Sequence, residues 1–189
     1  MIALATVLSL LKIWEAPLGG SVTLFSMTPI LVFGLRHGAK KSFFIAFVFS
    51  CLQLLLGIGT VSWVPGWRGI LLCILFDYLL AFSSLGVSGF FRIDQNEPRG
   101  KKAMKVILAT LAACLLRYGF HVLSGAVVWY EITKAGNWND YVQTVGMWTY
   151  SVVYNLQFML PESILTMVAS PAMLTVLRLA PTEKEKTKK

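Results

Sequence analysis

Between Ser42 and Val61 the sequence reads SFFIAFVFSCLQLLLGIGTV, twenty residues without a charge. At about 1.5 Å per helical residue such a run is about 30 Å long, the thickness of the hydrocarbon core of a bilayer. Comparable runs recur along the chain, and the gaps between them are short and charged. They predict six helices, over Met1 to Trp14, Ser21 to Leu35, Ser42 to Val61, Ile70 to Phe91, Ala103 to Tyr130 and Tyr141 to Leu179. The first is short for a span and the second is marginal unless tilted or re-entrant. The expected fold class is an all-α integral membrane protein of six transmembrane helices, a single domain over 1–179 with a charged tail over 180–189. A soluble domain of 189 residues could not hide a 56% hydrophobic content, because small folds leave much of their surface in water. No basic leader with a small-residue cleavage site precedes the first run, so no signal peptide is expected.

Orientation follows from the positive charges. Arg36, Lys40 and Lys41 lie between the second and third runs, and Arg92, Arg99, Lys101, Lys102 and Lys105 lie between the fourth and fifth. Arg178, Lys184, Lys186, Lys188 and Lys189 close the chain, so thirteen of the 17 Lys and Arg residues fall on one side of a six-span layout. The positive-inside rule makes that side cytoplasmic and places both termini inside, as in a multi-pass plasma-membrane protein. The formal charge of +8 does not point to nucleic acid, because these residues flank apolar spans and no stacking module accompanies them. Cys51, Cys73 and Cys114 each sit within an apolar run, which leaves neither a disulfide framework nor a paired metal motif. No HExxH, GxSxG or phosphate loop is present, and no cofactor, metal or catalytic residue is expected.

Charges inside the runs demand an explanation, since an isolated one at the bilayer centre costs about 3 kcal/mol or more. Asp77 lies about 10 Å from the outer end of the fourth run, and Arg117 about 18 Å up from Lys105, by helical rise. The two share a depth, either as a self-neutralising Asp77–Arg117 ion pair or as part of a polar pocket. Three features favour the pocket. His121 stands one turn from Arg117 on the same helix face, Tyr78 adjoins Asp77, and Tyr150 and Asn155 open the last run. Glu162, beside Pro161, is expected to satisfy backbone freed by the proline kink. Trp63, Trp67, Trp129, Trp138 and Trp148 lie near the outer ends, where an aromatic belt or a ligand lid would place them.

The segments GGSVTLFSMTPI, FDYLLAFSSLGVSGFFR, LLRYGFHVLSG and YSVVYNLQFMLPES resemble, in that order, the thiamine-specific S components of energy-coupling factor (ECF) transporters. The resemblance runs from Gly19 to about Leu165. It implies a six-helix fold that binds a vitamin near the outer surface and delivers it with a transmembrane coupling protein and two ATPase subunits. It implies further that Asp77, Tyr78, Arg117, His121, Trp129, Tyr150 and Asn155 contact the substrate, and Trp67 at the outer end is a further candidate contact. Thiamine would suit such residues, its thiazolium cation facing a carboxylate and aromatic rings. Another small heteroaromatic compound remains the alternative within transport, and a membrane scaffold or an intramembrane enzyme outside it. The resemblance also implies a small-residue face on the first helix for docking the coupling protein, here Ala3, Ala5 and Ser9.

The layout predicts a labelling result. In a cysteine-free background, Asn137→Cys should react with an impermeant thiol reagent added outside the cell, and Gln95→Cys should not; the reverse pattern would invert the topology.

Overall fold

The computed structural model describes residues 1–17, 19–138 and 140–179; the tail expected over 180–189 lies outside the described residues, as do Leu18 and Asn139. Helix α1 (Ile2–Leu10) leads into an antiparallel hairpin of β1 (Lys12–Glu15) and β2 (Ser21–Thr23). Helix α2 (Thr28–His37) and helix α3 (Ala39–Leu56) follow, then a single turn, α4 (Ile58–Val61). Two long helices come next, α5 (Trp67–Phe91) and α6 (Arg99–Ala135). The short α7 (Asp140–Thr144) precedes α8 (Met147–Val168) and α9 (Ser170–Leu179).

Helices α3, α5 and α6 are each long and apolar enough to cross a bilayer, and α8 with α9 makes a fourth candidate span bent by 41°. The bend falls where Pro171 enters the first turn of α9, a position at which proline is tolerated but cannot continue the preceding helix. The third to sixth expected spans are therefore present, with shifted ends. The first two are helical but have only 9 and 10 residues, about 15 Å each, too short to cross alone. Their missing length is the hairpin: Lys12 to Trp14, expected in a helix, pairs with Val22 and Thr23 in β structure. The expectation of a purely α fold is corrected to that extent. Its cause is local, since the Gly19–Gly20 pair takes positive φ and turns the chain back on itself.

Helix α2 is the packing centre. Met27, Ile30, Leu31 and Leu35 are fully buried among α3, α5 and α6. The close approach of α2, α3 and α5 depends on small residues. Gly34 faces Ser42 and Ser88, and a Cβ on Gly89 would sit 2.6 Å from the backbone of Ala39. The outward faces carry Phe44, Leu55, Leu115 and Val168, as lipid-facing surfaces do. At the basic end Lys105 donates to Glu97 at 2.6 Å, and that hydrogen bond holds the carboxyl below its ordinary range.

Helix α1 turns its small residues towards the body of the protein. Ala5 is fully buried in the core, and Ser9 is buried while accepting a 2.9 Å hydrogen bond from Gln53 Nε2. The face carrying these two small residues packs inward, where Ser9 and Gln53 satisfy one another. The free face of α1 bears Leu4, Val7 and Leu10, with Ala3 beside them.

The small-residue crossing predicts a stability loss. Gly89→Val must displace the Ala39 backbone, so it should destabilise the protein by about 1–3 kcal/mol, seen as a lower melting temperature in detergent.

Candidate functional site

Asp77 sits on a π-helical stretch of α5, Ile74–Leu80. Its carboxylate gathers donors from one neighbouring helix. His121 Nδ1 lies 3.0 Å from Oδ1, while Ser124 Oγ and Trp129 Nε1 donate to Oδ2 at 2.5 and 2.8 Å. Cys73 Sγ, one turn back on α5, adds a weak donor at 3.6 Å. His121 and Ser124 are three residues apart on α6 and share a face. Trp129, eight residues beyond His121, would sit about 80° off that face in a regular helix. It returns because Gly125–Trp129 is itself π-helical and winds less per residue. Widened turns in both helices therefore build the cluster.

A carboxylate beside Nδ1 favours a proton on that nitrogen. With Asp77 beside Nδ1, the neutral ring carries its proton there and leaves the Nε2 lone pair unused. His121 Nε2 is buried without a hydrogen-bond partner, and so are Nε and Nη1 of Arg117. Arg117 does not pair with Asp77, which closes the self-neutralising alternative. Its guanidinium lies 4.3 Å from the Phe82 ring centroid and 3.8 Å from Glu162 Oε1. Glu162, 1% exposed, does not cap the proline-freed backbone either. It accepts the Thr23 amide at 2.6 Å and the Thr23 hydroxyl at 2.7 Å, across 139 residues of sequence.

Helix α8 supplies an aromatic wall. Tyr150 and Tyr154 stack at 5.7 Å with their planes 24° apart, and Phe158 continues the row towards His121. Tyr150 donates to Thr133 at 3.3 Å, and Tyr154 to the Gly19 carbonyl at 3.0 Å. Asn155 spends its amide on the carbonyls of His121 and Ser151, at 3.1 and 2.8 Å, and thereby ties α8 to α6. Tyr78 donates to the Gly57 carbonyl at 3.0 Å.

These side chains enclose a cavity of about 210 Å³. Asp77, Tyr78, Arg117, His121, Trp129, Tyr150 and Asn155, all singled out from the sequence, line it together. Trp67 does not. It stands 68% exposed at the start of α5, with its neighbour Arg68 over its ring. Ser9, assigned to docking from the sequence, lines the cavity with Gln53. Phe82, Tyr154 and Phe158 also line it and escaped the sequence reading, although Tyr150, Tyr154 and Phe158 repeat at the four-residue helical spacing. The hairpin contributes Lys12, Glu15, Gly19, Gly20 and Ser21, with Lys12 and Glu15 paired at 2.6 Å.

Comparison with known proteins adds a lineage to this geometry. The sequence profile of the thiamine transporter protein family matches residues 1–180. The chain is 30% identical over 154 residues to the thiamine transporter ThiT of Bacillus subtilis, covering 79% of this chain and 72% of that protein. It is 29% identical over 162 residues to ThiT of Lacticaseibacillus paracasei, covering 80% and 72%. A solved structure of ThiT from Listeria monocytogenes shares the fold, with a TM-score of 0.66 at 22% identity over 95% of this chain and 90% of that one. That fold is the S-component fold expected from the sequence, in a mostly helical multi-pass membrane protein. A match over almost the whole length, supported by these relatives, makes the chain a member of the thiamine transporter protein family, a family of transporters and not of enzymes.

Proposed function

We propose that the chain is the substrate-binding subunit of an ECF-type vitamin uptake system and that thiamine is its ligand. In this reading the cavity faces outward and a transmembrane coupling protein with two ATPase subunits completes transport. The chain acts as one domain over 1–179, in the plasma membrane with both termini cytoplasmic. The bias of basic residues to one side supports that orientation.

One observation carries the choice of ligand: the formal charges in and behind the cavity wall do not cancel. Asp77 and Glu162 carry formal negative charge and Arg117 a formal positive one, and a neutral His121 adds none. The sum is one unit of negative charge in a low-dielectric setting, where an uncompensated charge is expensive. A monocation neutralises it. The thiazolium of thiamine is a fixed monocation, and the Trp129, Tyr150 and Phe158 rings suit it as a flat aromatic species. Its aminopyrimidine places a ring-nitrogen acceptor beside an amino donor. That edge complements the unused Arg117 N–H groups and the His121 Nε2 lone pair.

Calorimetry with purified protein tests this. Wild type should bind thiamine, and Trp129→Ala should weaken it five- to thirtyfold, about 1–2 kcal/mol. Asp77→Asn should weaken thiamine more than a neutral analogue, because only the cation feels the carboxylate's net charge. Folded variants that bind thiamine normally would remove the pocket from the proposal, and a folded wild type that ignores thiamine would remove the ligand.

A further inference from the structure

The hairpin lies over the cavity, yet little apolar contact holds it there. All four residues of β1 are exposed. Beyond Val22, which packs on Phe158 and Met159, its fastenings to α8 are polar: Tyr154 to the Gly19 carbonyl, and the Thr23 amide and hydroxyl to Glu162. The fit beneath it is close, since a Cβ on Gly20 would come within 2.5 Å of the Phe158 ring. Glu162 is also the carboxylate within 4 Å of Arg117 among the described residues. A single oxygen, Oε1, faces the guanidinium at 3.8 Å and the Thr23 hydroxyl at 2.7 Å.

We infer that Glu162 is a positioning residue that links the cavity to its cover: the carboxylate that counters Arg117 in the wall also pins strand β2 above it. The inference rests on the cavity being the ligand site. The guanidinium and the β2 end compete for Oε1, the latter through the Thr23 hydroxyl and the Ser26 hydroxyl, which donates at 3.4 Å. When a ligand's acceptor draws the Arg117 N–H groups towards the cavity, the guanidinium claims less of the carboxylate. More of its charge is then left to the Thr23 hydroxyl and amide, and the strand is held harder. When the cavity is empty the guanidinium leans on Glu162 and the fastening relaxes. Occupancy therefore slows escape more than it slows entry. Neither Glu162 nor Thr23 needs to touch the ligand for this, and neither lines the cavity.

Two readouts on the full-length protein in detergent keep this inference apart from the identity of the ligand. The first needs no ligand: hydrogen exchange of the 12–24 segment should speed up at least tenfold in Glu162→Gln, with α3 amides unchanged. The second is stopped-flow binding with thiamine as the probe. Glu162→Gln should raise the dissociation rate about tenfold or more while the association rate moves less than threefold. Thr23→Val, which keeps the Arg117–Glu162 pair and the hydrocarbon shape, should raise dissociation at least threefold. The double variant should be no worse than Glu162→Gln alone within twofold, whereas a general loss of packing would multiply the two effects. If Glu162→Gln does not fold, Thr23→Val decides by the same two readouts. Unchanged exchange in the hairpin, unchanged dissociation in a folded variant, or multiplicative effects would overturn the inference. A wild type that binds no thiamine but shows the exchange effect would discard the ligand and keep the link.

Discussion

A carboxylate placed inside a membrane protein must be met by donors, and Asp77 is met by three from one helix. His121, Ser124 and Trp129 all bond to it from α6, so α5 and α6 are locked at one rotation and one height. A largely enclosed acid without these partners would be penalised, and partners without the acid would be orphaned in turn. The arrangement sets the rest of the site. It favours one His121 tautomer, holds the indole of Trp129 in place and commits the acid, leaving Arg117 to find another counter-charge. That counter-charge is Glu162, which brings α8 and β2 into the same electrostatic system.

Two charge centres therefore share the interior, and their inequality gives the cavity its preference. Asp77 is satisfied by hydrogen bonds alone, while Arg117 Nη1 faces Glu162 at 3.8 Å and neither it nor Nε makes a hydrogen bond. The proposed ligand supplies the missing positive charge and the missing hydrogen-bonding edge. The aromatic row of α8 provides the remaining contact area without adding charge.

Much of this was legible in the sequence, because the cost of charge in a bilayer makes every intramembrane Asp, Arg and His conspicuous. Depth counted along helices, together with the family resemblance, picked out seven residues that line the cavity together. It could not say which acid pairs with which base, since depth carries no azimuth. The π turns at Ile74–Leu80 and Gly125–Trp129 rotate Asp77 and Trp129 into register, and no residue pattern announces them. The hairpin was hidden for a related reason. Lys12 to Trp14 read as the end of an apolar run, but the paired glycines after it reverse the chain before a span is complete. Ala5 and Ser9 show the limit of small-residue spacing. The motif marks a face that allows close approach, and here α1 turns that face to its own core. Trp67 was chosen for its height, and height alone does not bring a ring to a cavity.

A structure of the purified protein with thiamine bound addresses the account at its root. The expected result is the ligand within the cavity, its pyrimidine edge within hydrogen-bonding distance of Arg117 and His121 Nε2 and its cationic ring nearest Asp77. A ligand bound elsewhere on the chain, or one in the cavity with the Arg117 and His121 groups still unpartnered, would contradict it.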